Sequence, residues 1–215
     1  MNIDCIFRVC IIGDAGSGKT SIINKYVYDT YNDNYISTIG VNFESKNIII
    51  DNKDIKLYMY DVSGDERFKF IIKSFCIGAS VVLIVFDLNN TFSFENIEYW
   101  LKLIKKYNEN SFIIIIGNKK DIFKDNDIIK DIISNLLTKY YNCFYIETSS
   151  KTGENINNLF DILIKYVINT NITPLLNELN TIENHNEITK KINDFNITAN
   201  GVKINAKKKM RSCTY

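Results

Sequence analysis

Residues 13–20, GDAGSGKT, constrain this chain more than any other stretch. They follow a largely apolar run, residues 6–12, and lead into a segment with the spacing of a helix. The pattern G-x-x-x-x-G-K-[ST] asks for glycines because the backbone must wrap a polyphosphate and aim several N–H groups at it. In that reading Gly13, Asp14, Ala15, Gly16, Ser17, Gly18 and Ser21 surround the phosphates, Lys19 supplies a mobile positive charge, and the Thr20 hydroxyl meets a Mg²⁺ ion. The helix that starts here adds the positive end of its dipole. A glycine-rich turn between a strand and a helix is the plainer alternative; the GKT ending and the strand-loop-helix context argue against it.

The rest of the chain narrows the chemistry. A length of 215 residues with 46% hydrophobic content suits one domain with a substantial core. Lysine and arginine number 26 against 25 acidic residues, so the basic excess of a dedicated nucleic-acid binder is missing and no nucleic-acid partner is expected. Taking Lys207, Lys208, Lys209 and Arg211 out of the formal +1 leaves −3, which places the basic charge at the C-terminal end. Cys5, Cys10, Cys76, Cys143 and Cys213 form no C-x-x-C pair and fit no zinc spacing, so a reduced cytosolic setting is expected. The first residues carry no basic leader region and no apolar run approaches a membrane span, so neither export nor spanning is expected; Asn2 stands where N-myristoylation needs glycine. His185 is the single histidine, which removes Ser-His-Asp machinery and histidine metal sites. Chemistry therefore rests on metal, backbone and carboxylates.

Hydropathy patterning predicts an α/β fold. Residues 41–50 and 55–61, joined by Asp51-Asn52-Lys53-Asp54, read as an antiparallel hairpin. In its second strand Ile55, Leu57 and Met59 alternate with Lys56, Tyr58 and Tyr60, so Tyr60 faces away from the main core and needs a partner. Residues 81–86 and 112–116 are continuous apolar runs, as expected of strands buried on both faces of a parallel sheet. Phe94, Ile97, Trp100, Leu101 and Ile104 mark one helix, the Ile128 to Leu137 pairs a second, residues 143–147 a strand, and Ile156, Leu159, Phe160, Leu163 and Val167 a final helix. The sum is a doubly wound, mostly parallel six-stranded sheet with one antiparallel strand and helices on both faces. The domain is expected over residues 1–170, and 171–215, where Pro174 interrupts and Asn, Thr and Lys accumulate, as a flexible tail.

Four more motifs stand at strand ends: Tyr35-Ile36-Ser37-Thr38-Ile39-Gly40, Asp61-Val62-Ser63-Gly64-Asp65-Glu66-Arg67-Phe68, Asn118-Lys119-Lys120-Asp121 and Ser149-Ser150-Lys151. With the cradle they resemble the Ras-like small GTPases, most closely the Rab branch, over residues 6–168 and again at the extreme C-terminus. The resemblance implies GTP/GDP and Mg²⁺ as ligands. Asp121 would accept two hydrogen bonds from guanine, and leaving that carboxylate unpaired against adenine implies rejection on the order of 10⁴-fold. Asn118 would tie the base loop to the cradle, the Lys119 stem would cover the base, and Ser149, Ser150 and Lys151 would form a second base-contacting loop. Tyr31 would pack by the base and Tyr35 over the phosphates, with simple loop packing as their alternative. Thr38 would give Mg²⁺ a second hydroxyl when the γ-phosphate is present, Asp61 would hold the ion through water, and the Gly64 N–H would meet the γ-phosphate.

The chain departs from that pattern at Asp65, which occupies the place of the glutamine that orients the attacking water, and at Ser63 and Ser150, which replace alanines. A carboxylate can accept from water but cannot donate to the transferring phosphoryl group, and losing one such donor costs about 10² to 10³ in rate. Asp65 is expected to swing toward solvent and intrinsic hydrolysis to be slow, with Asp65, Gly64, Lys19 and Thr38 as the groups at the reaction. Phe43, Tyr60 and Phe75 match the exposed aromatic triad that Rab effectors contact, with ordinary hairpin packing as the alternative. The basic end with Cys213 resembles a lipidated Rab tail, although Cys213 is third from the end and single, and a solvated basic end is the rival. The resemblance implies a monomer on the cytosolic face of an intracellular membrane. Its partners would be effectors, an exchange factor, an activating protein, a prenylation escort and a GDP-dissociation inhibitor. A GTP-locked binding protein is the competing reading, and a P-loop ATPase or kinase a distant third, opposed by Asn118-Lys119-Lys120-Asp121.

Overall fold

Runs of isoleucine and valine build the centre of the molecule. The computed structural model describes residue 3 and residues 5–34, 36–50, 53–124, 127–140 and 143–179. Tyr35, the C-terminal basic run and Cys213 lie outside the described residues. The chain opens with β1 (Cys5–Ile12) and α1 (Lys19–Tyr28), then the hairpin β2 (Val41–Ile50) and β3 (Lys53–Val62). A 3₁₀ turn (Glu66–Phe68), α2 (Lys69–Cys76), β4 (Val81–Asp87), α3 (Thr91–Glu95) and α4 (Ile97–Tyr107) follow. The last part comprises β5 (Phe112–Asn118), a 3₁₀ turn (Lys120–Ile122), α5 (Asp127–Lys139), β6 (Cys143–Glu147) and α6 (Ile156–Leu179).

Six strands lie in the order β2-β3-β1-β4-β5-β6. β2 runs antiparallel to β3 and every other pair is parallel, as the turn between the hairpin strands and the helical crossovers dictate. The alternation predicted for β3 is realised: Ile55, Leu57 and Met59 are buried, while Lys56, Tyr58 and Tyr60 are half-buried on the other face. β4 and β5, the all-apolar runs, are covered on both sides. Ile11, Ile22, Leu57, Leu83, Ile114, Phe160 and Leu163 pack on one face of the sheet. Ile12, Ile72, Ile84, Phe86, Trp100, Leu101 and Ile115 pack on the other. Fully burying each such side chain is worth about 1.5–3 kcal/mol, which is what holds the strand ends rigid enough to carry a site.

Two details differ from the sequence pattern. The single helix expected around Phe94 to Ile104 is two, α3 and α4, parted at Asn96. Asn90 caps α3 through the N–H groups of Phe92 and Ser93, and the Asn96 side chain is drawn instead to Asp14. The last helix contains Pro174 within it, without the N–H bond that proline cannot donate. No helix among the described residues is long and apolar enough to cross a membrane.

Candidate functional site

The loop between β1 and α1 is shaped by backbone that only glycine adopts readily. Gly16 and Gly18 have φ of 75° and 95°, and a Cβ on Gly18 would strike the Asn118 side-chain amide. α1 begins at Lys19 with Gly18 as its cap, no capping side chain and no acidic residue in the first turn, so its leading N–H groups stay open to an anion. Lys19 is 5% exposed, and its Nζ donates to the carbonyls of Gly13 (3.0 Å) and Asp14 (2.9 Å). Burial pulls its pKa down to about 8, against the opposing pull of the Asp61 and Asp14 charges. The Ser17 hydroxyl is buried and has no hydrogen-bond partner among the described residues. A polyanion entering this loop would restore the charge balance of the lysine and meet the open donors, so the residues fit a phosphate chain.

Beside the lysine, three oxygen-bearing side chains from three elements meet. Thr20 Oγ1 donates to Asp61 Oδ2 at 2.5 Å and lies 3.0 Å from Thr38 Oγ1. Asp61 is fully buried, and its other oxygen has no hydrogen-bond partner among the described residues. Burial raises its pKa, while the Thr20 hydroxyl, the Lys19 charge and the Thr38 hydroxyl pull it down. Two hydroxyls and a carboxylate with an orphaned oxygen form a hard, all-oxygen donor set, which suits Mg²⁺. The sequence-predicted trio Thr20, Thr38 and Asp61 is thus brought together.

Gly64 lies against the cradle: a Cβ there would strike the backbone of Gly13, Asp14 and Ala15. Ser63 is buried, its N–H donates to the Gly40 carbonyl at 2.9 Å, and its hydroxyl accepts from the Asp65 N–H at 3.3 Å. Asp65 caps the 3₁₀ turn by accepting from the Arg67 N–H. The Arg67 guanidinium grips both carboxylate oxygens, Nε at 3.1 Å to each and Nη2 at 2.7 Å to Oδ2. That grip holds the Asp65 pKa down to about 2. The carboxylate is 34% exposed, turned outward as expected, but it is tied to a neighbour rather than free in solvent.

The other end of the site is built on β5 and β6. Asn118 is fully buried; its Nδ2 donates to the Ser17 carbonyl (3.0 Å) and Ser150 Oγ (3.3 Å), and its Oδ1 accepts from Thr148 Oγ1 and the Ser150 N–H (both 3.2 Å). It therefore ties the glycine-rich loop to the Ser149-Ser150-Lys151 loop, and the hydroxyl of Ser150 finds a partner in doing so. Ser149 Oγ donates to Asp121 Oδ1 at 2.6 Å and accepts from the Thr152 N–H at 3.1 Å. Lys119 has φ 66°, and its Nζ is paired with Asp87 at 2.7 Å. Lys151 pairs with Asp33 at 3.2 Å and stands 5.9 Å from the Tyr31 ring centroid, so Tyr31 lies beside the loop that carries Ser149, Ser150 and Lys151.

Several of these partners belong to none of the sequence motifs. Asp87, Thr148 and Asp33 carry no motif of their own; for Asp87, its place at the carboxyl end of β4 was the available signal. Asp14 is part of the cradle through its backbone, while its carboxylate turns to α4, accepting from Asn96 Nδ2 (2.8 Å) and Trp100 Nε1 (3.0 Å). A cavity of about 630 Å³ between α3 and α5, walled by Leu88, Phe94, Phe123 and Ile129, contains no cradle residue. Away from the phosphate loop, Tyr60 stands between Phe43 (ring centroids 5.4 Å) and Phe75 (5.2 Å), so the three expected aromatics form one cluster; Phe43 is 50% exposed.

Comparison with known proteins agrees with this arrangement. A family model described as the Ras family matches residues 8–169. The chain is 38% identical over 164 residues to Ras-related protein Rab-1 of Theileria annulata, covering 75% of this chain and 74% of that one. It is 33% identical over 178 residues to Ras-related protein Rab-19 of Rattus norvegicus, 82% of each chain. With Ras-related protein Rab-13 of Mesocricetus auratus it shares 35% over 167 residues, 77% of this chain and 81% of the relative.

Proposed function

Because the chain belongs to the Ras family of small GTPases, in its Rab branch, we propose that it is a slow GTP hydrolase whose GTP-bound form recruits effectors in vesicle and membrane trafficking. The observation that carries this reading is the convergence at the carboxyl ends of the strands. Lys19 and the open start of α1, the Thr20–Thr38–Asp61 cluster and the Asn118-tied base loop adjoin one another there.

Lys19 and the N–H groups of residues 13–21 bind and orient the triphosphate, spending their desolvated charge on it. Thr20, Thr38 and Asp61 would hold Mg²⁺, and the ion would supply positive charge against the phosphate oxygens. Asp121, held by Ser149, accepts from guanine's N1–H and amino group, and Lys119, steered by Asp87, covers the base. Water attacks the γ-phosphate, and the chain's contribution is position and electrostatics rather than a covalent intermediate. Asp65, engaged by Arg67 and unable to donate while ionised, gives that water little help. Phe43, Tyr60 and Phe75 form the surface that effectors contact. The family's kinds of partner extend to an exchange factor, an activating protein and a GDP-dissociation inhibitor. With Cys213 lipidated by way of a prenylation escort, the monomer would sit at the cytosolic face of an intracellular membrane.

Single-turnover hydrolysis of Mg²⁺-GTP by the native protein beside Asp65→Gln tests the slow-hydrolysis reading. A rise of about 10²-fold in the variant is expected. Equal and substantial rates would mean that Asp65 positions water after all. The Asp65–Arg67 pairing also motivates a second reading, a GTP-locked binding protein, which absence of hydrolysis in both, with and without an activating protein, would favour.

A further inference from the structure

Two thiols separated by 66 residues of chain meet in the core. Cys10 lies in β1 just ahead of the phosphate cradle, and Cys76 is the last residue of α2. Both are fully buried among Ile12, Val62, Ile72 and Ala79, and their sulfurs are 3.3 Å apart in a thiol–thiol hydrogen bond. Neither thiol has a part in the GTP chemistry proposed above. Asn108 holds the C-terminal end of α2 in place, its Nδ2 donating to the carbonyls of Cys76 (2.7 Å) and Ala79 (2.9 Å). The rest of α2 is short, eight residues with no side-chain cap at its start; Ile72 and Cys76 are fully buried, Ile71 and Phe75 pack on the same core in part, and Lys69 and Lys73 lie over aromatic rings of α4. Ile77, next in the chain, is 50% exposed. Opening of this one helix would therefore admit a small oxidant to the pair.

We propose that Cys10 and Cys76 form a redox modification site, a dithiol that a peroxide converts to an internal disulfide stapling α2 to β1. One thiol, losing its proton to water when α2 opens, attacks a peroxide oxygen; the O–O bond breaks, leaving a sulfenic acid and, with hydrogen peroxide, one water. The second sulfur then attacks the sulfenic sulfur, the S–S bond forms, and the hydroxyl leaves with that thiol's proton as a second water. Two thiols are oxidised by two electrons in all, and one hydrogen peroxide is reduced to two waters. The sulfurs need to approach only from 3.3 Å to about 2.05 Å, a displacement within reach of side-chain rotation. Cys76 adjoins Phe75, which packs on Tyr60, so the staple would also fix the aromatic face; this last clause rests on the effector role proposed above.

The test is hydrogen peroxide added to the full-length, GDP- and Mg²⁺-loaded protein, followed by intact mass and a non-reducing peptide map. The expected result is the loss of two hydrogens, a Cys10–Cys76 linked peptide that dithiothreitol releases, and hydrogen exchange over residues 69–77 slowed at least tenfold. The linked peptide should vanish in Cys76→Ser and in Cys76→Val, the second variant covering the case in which a buried hydroxyl disrupts folding. Oxidation confined to Cys5, Cys143 and Cys213, or a linked peptide formed only in urea, would overturn the proposal. The native protein's peptide map needs no variant and no hydrolysis assay, so this idea and the GTPase reading can fail separately.

Discussion

Replacing Asn118 by alanine should be among the most damaging single changes available to this protein. The side chain makes four hydrogen bonds in a region from which water is excluded: Asn118 and Thr148 are fully buried, and Ser17 and Ser150 are 1% and 4% exposed. Alanine would leave the Ser17 carbonyl and the Ser150 N–H without their partner, whereas the hydroxyls of Thr148 and Ser150 can rotate. At about 1–3 kcal/mol for each orphaned backbone group, plus the void left by the amide, the loss is about 4 kcal/mol. For a domain of this size that lowers Tm by roughly 8–16 °C. Urea denaturation at several fixed GDP concentrations with Mg²⁺ separates the two contributions: fitted to a ligand-free stability plus RT ln(1 + [GDP]/Kd), the ligand-free value gives the structural loss and the fitted Kd gives the change in affinity. A structural loss under about 1 kcal/mol would refute the reasoning, because it would mean that the tie between cradle and base loop is not made by this side chain.

Three further outcomes are expected. Trp100→Phe keeps an aromatic ring but removes the indole N–H that bonds Asp14 and part of a buried bicycle, so it should cost about 2–4 kcal/mol in denaturation, and an unchanged midpoint would show that neither the bond nor the packing at this position matters. Asp87→Ala frees the Lys119 ammonium, and release of a fluorescent GDP analogue should accelerate about two- to fivefold, the effect of a partly exposed ion pair worth up to about 1 kcal/mol; unaltered release would remove Asp87 from the base site. Burial raises the Cys143 thiol to about 11, despite the nearby Lys105 charge. Since only the thiolate alkylates, labelling of Cys143 should be slow at pH 8 and climb with pH up to about 11, as read by mass spectrometry, and a plateau near pH 9 would contradict the burial argument.

The Asp65–Arg67 grip is the structural basis for the slow hydrolysis proposed above. Arginine two residues beyond the carboxylate closes a short ring with the 3₁₀ turn, satisfying the acid by its own neighbours. In the proposed function, a water-positioning group must be free to reorient toward the phosphate, and this one has a competing partner already in place. Asp65→Gln changes both features, since a neutral amide can donate and binds the guanidinium less strongly.

The glycine-rich loop after β1, the hairpin, the buried parallel strands and the Asn118-Lys119-Lys120-Asp121 turn at the end of β5 were all legible in the sequence, because each is written in contiguous residues. Glycine spacing encodes a backbone bend, alternation in residues 55–60 encodes a two-faced strand, and unbroken apolar runs encode strands covered on both sides. Even the outward Tyr60 announced that it needed company, although its place between Phe43 and Phe75 required the hairpin register and the docking of α2. Other pairings left no local trace. Asp14 with Trp100, Lys119 with Asp87, Lys151 with Asp33 and Cys10 with Cys76 join residues 32 to 118 positions apart. Right-handed crossovers return each strand to the sheet beside a distant one, and helices then cover what the strands leave, so which side chains meet depends on the closed packing rather than on any periodicity along the chain. Local pattern therefore dictated the elements and the type of ligand they suit, and the tertiary fold decided how each charged or nucleophilic side chain is partnered.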